Sequence, residues 1–386
     1  MRYSEKEFDD IRPFNDTEFL KEWDTILKTE GFENGLNYLF KDAEVRHKVM
    51  DIAKGLRSVD DLQEKVMTVV LERIVSTSSA GISDSGFENV DASRPCLYMS
   101  NHRDIVLDTG FLNLLVYKHN LPFTRTAIGS NLLLNSWIEG MVKLNRSFVV
   151  KRGLPVREQL GASKHLSRYI RHSLVDAGCP IWIAQREGRT KNGDDKTQAS
   201  VLKMLNLSNE TASFVDGFRE LNIVPLSISY EVEPCLTAKI DENILRDRGE
   251  FEKAKEHDLA AMFNGIDQYK GYIHFGCSSP VEIREQDFSD LNKKDALAKL
   301  AALIDKQIYK EFKLFPFHYI AFDRLSSQNR NNDKYTDNDI KRFDDLLADN
   351  IAKLSDYNAD EVRGKFMEIY SNPVKNRSLR SDVAIK

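Results

Sequence analysis

The sequence predicts an α/β protein, a mixed sheet flanked by helices with helical extensions at the N- and C-terminal ends. Two observations carry this expectation. From about residue 95, short apolar runs alternate with amphipathic stretches, as in a sheet with helices packed on it. Before that region, and again after about residue 325, apolar residues recur at spacings of three and four, the period of a helix with one buried face. The expected organisation is a helical region at 1–80, an α/β domain at 81–323 and a helical extension at 324–386.

The elements follow in order. TEFLKEWDTILKTEGFENGLNYLF and VDDLQEKVMTVVLERIV are the first helical stretches, and the polar run STSSAGISDSG (76–86) reads as a linker or exposed turn. The strands are CLYMS (96–100), TRTAIG (124–129), SFVVKR (147–152), IWIAQ (181–185), NIVPLSISYE (222–231) and GYIHFGC (271–277). Pro225 lacks a backbone N–H, so it implies an edge, a bulge or a strand start. Helices fall between, among them DTGFLNLLVYKH, the amphipathic REQLGASKHLSRYIRHSLVDAG and the late DALAKLAALIDKQIYKEF.

Charged residues at 30% and hydrophobics at 41% are ordinary for a soluble globular protein with a large core. MRYSEKEFDD has no apolar signal segment, and no window approaches the roughly 18–20 apolar residues of a membrane span. Four scattered cysteines predict reduced thiols in a cytoplasmic protein. No Cys/His metal box and no Gly-rich phosphate loop occur, so neither a metal nor another cofactor is expected, and no nucleic acid partner. Charge is unevenly spread. The net charge is −5, but Arg125–Lys203 holds 14 Lys/Arg against 6 Asp/Glu, a local +8 that leaves −13 for the remainder. A basic middle between acidic flanks points to an anionic ligand or surface.

Chemistry concentrates where apolar runs end. LYMSNHRDIVLD (97–108) finishes a β-prone run with a base, His102, a cation, Arg103, and two acids, Asp104 and Asp108. A neutral imidazole is a natural general base, and a carboxylate can fix its tautomer. In IWIAQREGRTKNGD, Gly188 allows a close backbone approach to a ligand, and Arg189 can hold a phosphate by a paired hydrogen bond, with Arg186 and Lys191 nearby. In LNRSFVVKRG, Arg146, Lys151 and Arg152 bracket a short strand.

The order NHRDIVLD, FVVKR, REGRT, IVPLSISYE resembles the glycerol-3-phosphate and 1-acylglycerol-3-phosphate acyltransferase family, over about residues 85–285. The resemblance implies that His102 and Asp108 are catalytic, and that Arg152, Glu187, Gly188 and Arg189 bind the acceptor. Arg103, Arg146, Lys151 and Lys191 are further substrate-binding candidates. One departure bears on the site. The family box has four residues between His and Asp, whereas five separate His102 from Asp108, which leaves Asp104 as a competing partner. An extra residue in a helix would turn the carboxylate by about 100°, but a turn can absorb it. The literal spacing occurs in HYIAFD, from His318 to Asp323, after all the other boxes and within an aromatic run typical of packing.

What the resemblance implies is transfer of a fatty acyl group from an acyl-CoA or acyl-carrier protein thioester to a hydroxyl of glycerol 3-phosphate or lysophosphatidate. The alternatives are another lipid acceptor, or a non-catalytic lipid- or phosphate-binding module. The expected location is cytoplasmic, peripheral on the inner face of a membrane. KHLSRYIRH (164–172) and the aromatic run YKEFKLFPFHYI (309–320) are the segments expected to meet an anionic membrane surface.

Overall fold

A computed structural model describes residues 3–380, except for 134, 212, 253, 254, 328 and 329. The chain begins with helices α1 (Asp16–Leu27), α2 (Glu30–Leu39), α3 (Ala43–Gly55) and α4 (Val59–Leu62), the last running through a π turn into α5 (Thr68–Ser78). Local sequence sets their starts. Asn15 accepts from the Glu18 N–H while the Glu18 side chain accepts from the Asn15 N–H, a reciprocal cap that satisfies two orphan donors of α1. The apolar stripes of these helices meet around Phe19, Trp23, Leu36, Val49 and Leu62.

Among the described residues seven strands form one sheet: β1 (Gly81–Ser85), β2 (Leu97–Ser100), β3 (Arg125–Gly129), β4 (Ser147–Val150), β5 (Ile181–Ala184), β6 (Ile223–Tyr230) and β7 (Tyr272–Cys277). Their order is β1-β7-β6-β2-β5-β3-β4. Every neighbouring pair is parallel except β6 with β7. The mixed sheet expected from the alternation is therefore what forms. Central β2 is buried at all its positions, which is why it reads as a continuous apolar run.

Helices α6 (Leu107–Lys118), α7 (Ser136–Leu144), α8 (Val156–Arg171), α9 (Ala199–Leu205) and α10 (Phe214–Arg219) connect the first six strands, and α11 (Leu236–Arg248) and α12 (Lys255–Asp267) lead to β7. After β7 come α13 (Lys293–Glu311), α14 (Pro316–Ser326), α15 (Asp337–Lys353) and α16 (Ala359–Arg380). One sheet face packs Leu97, Met99 and Ile181 against Tyr169 of α8, Phe218 of α10 and Leu300 of α13. The other packs Tyr98, Trp182 and Val224 against Phe111 and Leu115 of α6. A further core joins α11 and α14–α16 through Ile240, Phe317, Phe343, Phe366 and Tyr370.

Three sequence expectations are corrected. The run 76–86 is not only a linker. Its second half is β1, an edge strand paired with β7 alone, which needs just Ile82 against the core and so carries little apolar signal. Pro225 lies in a strand that has neighbours on both sides, opposite Met99. Its carbonyl accepts from the Ser278 N–H at 2.9 Å, one residue past the end of β7, so the missing N–H falls where that ladder has run out. The aromatic run 309–320 is core, not a membrane face. Tyr309, Phe312, Phe315, Phe317 and Ile320 are all buried, with Phe317 and Ile320 in the core shared by α11 and α14–α16. In KHLSRYIRH, Leu166, Tyr169, Ile170, Arg171 and His172 are buried as well.

The β1 edge depends on a tight turn. Gly86 has φ +80, and a Cβ there would collide with the Cys277 carbonyl. Gly86→Ala is expected to destabilise the protein by more than about 1 kcal/mol, because the new residue meets both a left-handed backbone and a backbone contact. Urea unfolding measures this; a neutral substitution would mean the β1–β7 edge is not held as described.

Candidate active site

The C-terminal ends of parallel strands β2, β3, β4 and β5 open on one cavity of about 1870 Å³. This is the crevice side on which α/β sheets carry their ligands. His102 enters it after β2, Gly129 and Asn131 after β3, Lys151 and Arg152 after β4, and Arg186 to Arg189 after β5.

His102 is held from several directions. Its Nδ1 lies 2.8 Å from Asp108 Oδ2, and its ring meets Trp182 edge-on at 5.3 Å between centroids. Its carbonyl accepts from the Thr190 N–H at 3.0 Å, which ties the β2 loop to the β5 loop. Just before it, the Asn101 amide bonds both the N–H and the C=O of Ile228, each at 2.8 Å, and so extends the β2–β6 ladder by a side chain. With Nδ1 committed to Asp108, the remaining nitrogen, Nε2, is the one available to a ligand in the cavity.

The five-residue spacing is absorbed in the turn. Asp108 sits in the first turn of α6, and residues 101–106 wrap around its carboxylate. Oδ2 also accepts from the Arg103 N–H at 2.6 Å and the Asp104 N–H at 3.0 Å, while Oδ1 accepts from the Tyr230 hydroxyl at 2.9 Å. Asp104 does a different job. Its Oδ1 accepts from Val106 N at 2.9 Å and Leu107 N at 2.8 Å, capping α6, and its Oδ2 is buried without a partner. Burial first, then the charge of Asp108, pushes the Asp104 carboxyl above the usual aspartate range. His318 lies elsewhere. Its Nδ1 accepts from Phe315 N at 2.9 Å, burial and then Arg103 press its pKa down to about 3, and Asp323 bonds Asn331 and Tyr335 instead.

The sequence-predicted binding residues divide. Lys151, Arg152, Glu187, Gly188, Arg189 and Lys191 all line the cavity with His102. Arg103 and Arg146 do not. Arg103 is buried, donating to Asp195 Oδ2 at 2.5 Å and to Glu233 at 3.3 Å. Lys239 completes this cluster, bonding Glu233 at 2.5 Å and the Arg103 carbonyl at 2.8 Å. Burial would raise the Glu233 carboxyl, but Arg103 and Lys239 hold it below its usual range. Arg146 pairs with Asp60 and lies over the Phe123 ring.

Charge and polarity differ between the cavity walls. Arg152 pairs with Glu187, and Lys191 with Glu242 at 2.5 Å. Arg186 has a buried Nε with no partner, and the carboxylate beside Arg189 is Asp258, at 4.0 Å. The Arg186 Nε is therefore a donor still open to an anion. Away from these groups the lining is apolar, with Met67 of the π turn, Val70 and Ile74 of α5, Trp137 and Met141 of α7, and Met262 of α12. Among the described residues no three His, Cys, Asp or Glu side chains are grouped to hold a metal ion, and no helix is long and apolar enough to cross a membrane.

Trp182, Thr190, Tyr230 and Lys239 were missed by sequence reasoning. Trp182 and Tyr230 read as ordinary strand residues, since a two-residue period says which positions are buried and not which of them meets the His102 ring or Asp108. Thr190 acts on His102 through its backbone, which has no sequence signal.

Comparison with known proteins agrees with the geometry. Residues 81–229 match the acyltransferase family model, which bears out the resemblance over that segment. No match was found among curated proteins. The crystal structure of a 1-acyl-sn-glycerophosphate (LPA) acyltransferase from Thermotoga maritima is similar at 11% identity and a TM-score of 0.36, covering 74% of this chain and 88% of that one. A likeness that distant carries no residue-level argument.

The buried cluster makes a prediction. Arg103→Met leaves Asp195 buried without its cation and Glu233 with Lys239 alone, and is expected to cost about 3–5 kcal/mol of stability by denaturant unfolding. A variant of native stability that only binds anions less well would instead put Arg103 among the ligand contacts.

Proposed function

We propose that the protein, whose residues 81–229 match the acyltransferase family model, moves a fatty acyl group from an acyl-CoA or acyl-carrier protein thioester to a hydroxyl of glycerol 3-phosphate or lysophosphatidate. One observation carries this reading: the His102–Asp108 pair opens on a cavity with cationic side chains on one wall, the Arg186 Nε among them without a partner, and apolar side chains on another. An acceptor with a phosphate and a donor with a hydrocarbon chain need those two walls together.

The chemistry follows from the geometry. His102 Nε2 takes the acceptor's hydroxyl proton as its oxygen attacks the thioester carbonyl carbon. Asp108 keeps Nδ1 protonated and stabilises the imidazolium that forms. The tetrahedral intermediate collapses by breaking the C–S bond, and the imidazolium returns its proton to the departing sulfur. General-base help of this kind contributes about 10²–10⁴-fold, and holding donor and acceptor side by side adds to it through orientation. Arg189, with Arg186 and Lys191, would hold the acceptor phosphate. Among other acyltransferase readings, a different lipid acceptor is possible chemically, but a neutral one would give the unpartnered Arg186 Nε no anion to bind. A non-catalytic binding module drew its support from the altered His–Asp spacing, and a 2.8 Å bond across that spacing removes it.

The test is release of free thiol from an acyl-CoA or an acyl-carrier protein, with and without glycerol 3-phosphate or lysophosphatidate. Release that depends on one of these acceptors is expected. None with either donor would end the reading. His102→Ala is expected to lower turnover at least about a hundredfold with the fold intact, while His318→Ala changes it little; Asp108→Asn should cost more than Asp104→Asn.

A pH dependence follows from Lys191. Burial, and then the charge of Arg189, holds its pKa down to about 8. The ammonium is therefore present below that pH and lost as pH rises through it. Acceptor KM is expected to climb between about pH 7 and 9, and Lys191→Arg, which stays charged, should flatten the climb. An equal climb in that variant would assign the titration to another group.

A further inference from the structure

Helix α16 lies outside the segment matched by the acyltransferase model, yet it hydrogen-bonds the β5 loop at several points. Glu368, Asn372, Asn376 and Arg380 recur every four residues, which places them along one slowly winding stripe of the helix. Each reaches the loop. Glu368 accepts from the Asn192 amide at 3.3 Å, Asn372 donates to the Asn192 carbonyl at 2.8 Å, and Asn376 donates to the Gly193 carbonyl at 3.4 Å. Arg380 donates to the Asp195 carbonyl at 2.6 Å and to the Asp194 carboxylate at 3.2 Å. Three of these contacts are to backbone carbonyls, so the stripe follows the path of the loop as well as its side chains.

The fit is close at one point. Gly193 has φ +76, and a Cβ there would collide with the Ile369 carbonyl of α16, so the loop backbone lies directly on the helix. From this seam the connection runs inward. Asp195 accepts from Thr190 and from Arg103, and the Thr190 N–H donates to the His102 carbonyl. The same loop carries Arg189 and Lys191 into the cavity.

We propose that the asparagine–arginine stripe of α16 is a template for the acceptor-binding loop: Asn372, Asn376 and Arg380 are positioning residues that fix the path of residues 189–195 and thereby set affinity for a phosphate-bearing acceptor. The inference rests on the acceptor role given above to Arg189 and Lys191. A loop with two glycines, Gly188 and Gly193, both at positive φ, has a large conformational freedom to lose. The helix removes it before the acceptor arrives, and pre-organisation of this kind is worth affinity without any new ligand contact.

Three variants of the full chain test this: Asn372→Asp, which keeps the shape but sets a carboxylate against the Asn192 carbonyl, Arg380→Met, which keeps the stem without its donors, and Arg380→Lys, which restores a donor. The first readout is amide hydrogen exchange across 188–196, which needs no turnover. Asn372→Asp and Arg380→Met are expected to speed exchange there about tenfold, the scale of one or two lost hydrogen bonds, with Arg380→Lys close to wild type. The second is steady-state kinetics with glycerol 3-phosphate. Acceptor KM is expected to rise about tenfold in the first two variants, donor KM to stay put, and Arg380→Lys to recover most of the loss. Unchanged loop exchange overturns the template, as does faster exchange with an unaltered acceptor KM, or an equal loss for donor and acceptor. If wild-type protein turns over no acceptor at all, the acyltransferase reading has failed, and exchange alone then decides whether α16 shapes the loop.

Discussion

The site depends on one buried carboxylate. Asp108 is fully enclosed, and a charge so placed persists only if hydrogen bonds fill its oxygens. Two backbone N–H groups, a tyrosine hydroxyl and His102 do so. Satisfying Asp108 forces residues 101–106 to curl around it, and the curl aims His102 outward from the end of β2. The same constraint explains why an additional residue between the two does no harm. It is taken up before α6 begins, in backbone that bonds the carboxylate, so the acid is not rotated away. Tyr230 adds a link to β6, which makes the His–Asp unit a joint of three chain segments.

Arg103 secures the next layer. Its backbone serves Asp108, while its guanidinium gathers Asp195 from the β5 loop and Glu233 from the segment after β6. Replacing Arg103 leaves Asp195 buried without its cation and Glu233 with Lys239 alone, so the layers either side of His102 are weakened together. The cations that face the cavity are different in kind, since Arg186 keeps a buried Nε without a partner and Arg189 meets Asp258 only at 4.0 Å. Structural and ligand-facing arginines are thus told apart by what surrounds them, not by residue type.

Much of this was legible in the sequence. Six of seven strands end within a residue or two of their expected limits, because apolar runs between turn signals mark buried parallel strands well. His102, Asp108 and the EGRTK loop stand out because polar residues interrupt such runs abruptly. The failures share a cause. β1 is an edge strand with one apolar anchor, Pro225 is tolerated only because a neighbouring strand stops short, and LFPFHYI looks equally fit for a membrane or a core. Each outcome is decided by a partner distant in the chain, and local pattern holds no record of it. Arg103 and Arg146 illustrate the same point, since cations beside a motif are indistinguishable in sequence from cations within a site.

The central claim is that His102 Nε2 receives a proton from an acceptor whose phosphate rests on the β5 loop. A crystal structure of the complex with glycerol 3-phosphate tests it most directly. The phosphate is expected on Arg189 and a hydroxyl oxygen about 2.6–3.2 Å from His102 Nε2, with Nδ1 still on Asp108. A phosphate bound away from the β5 loop, or a hydroxyl that cannot reach the ring in any ordered pose, would contradict it.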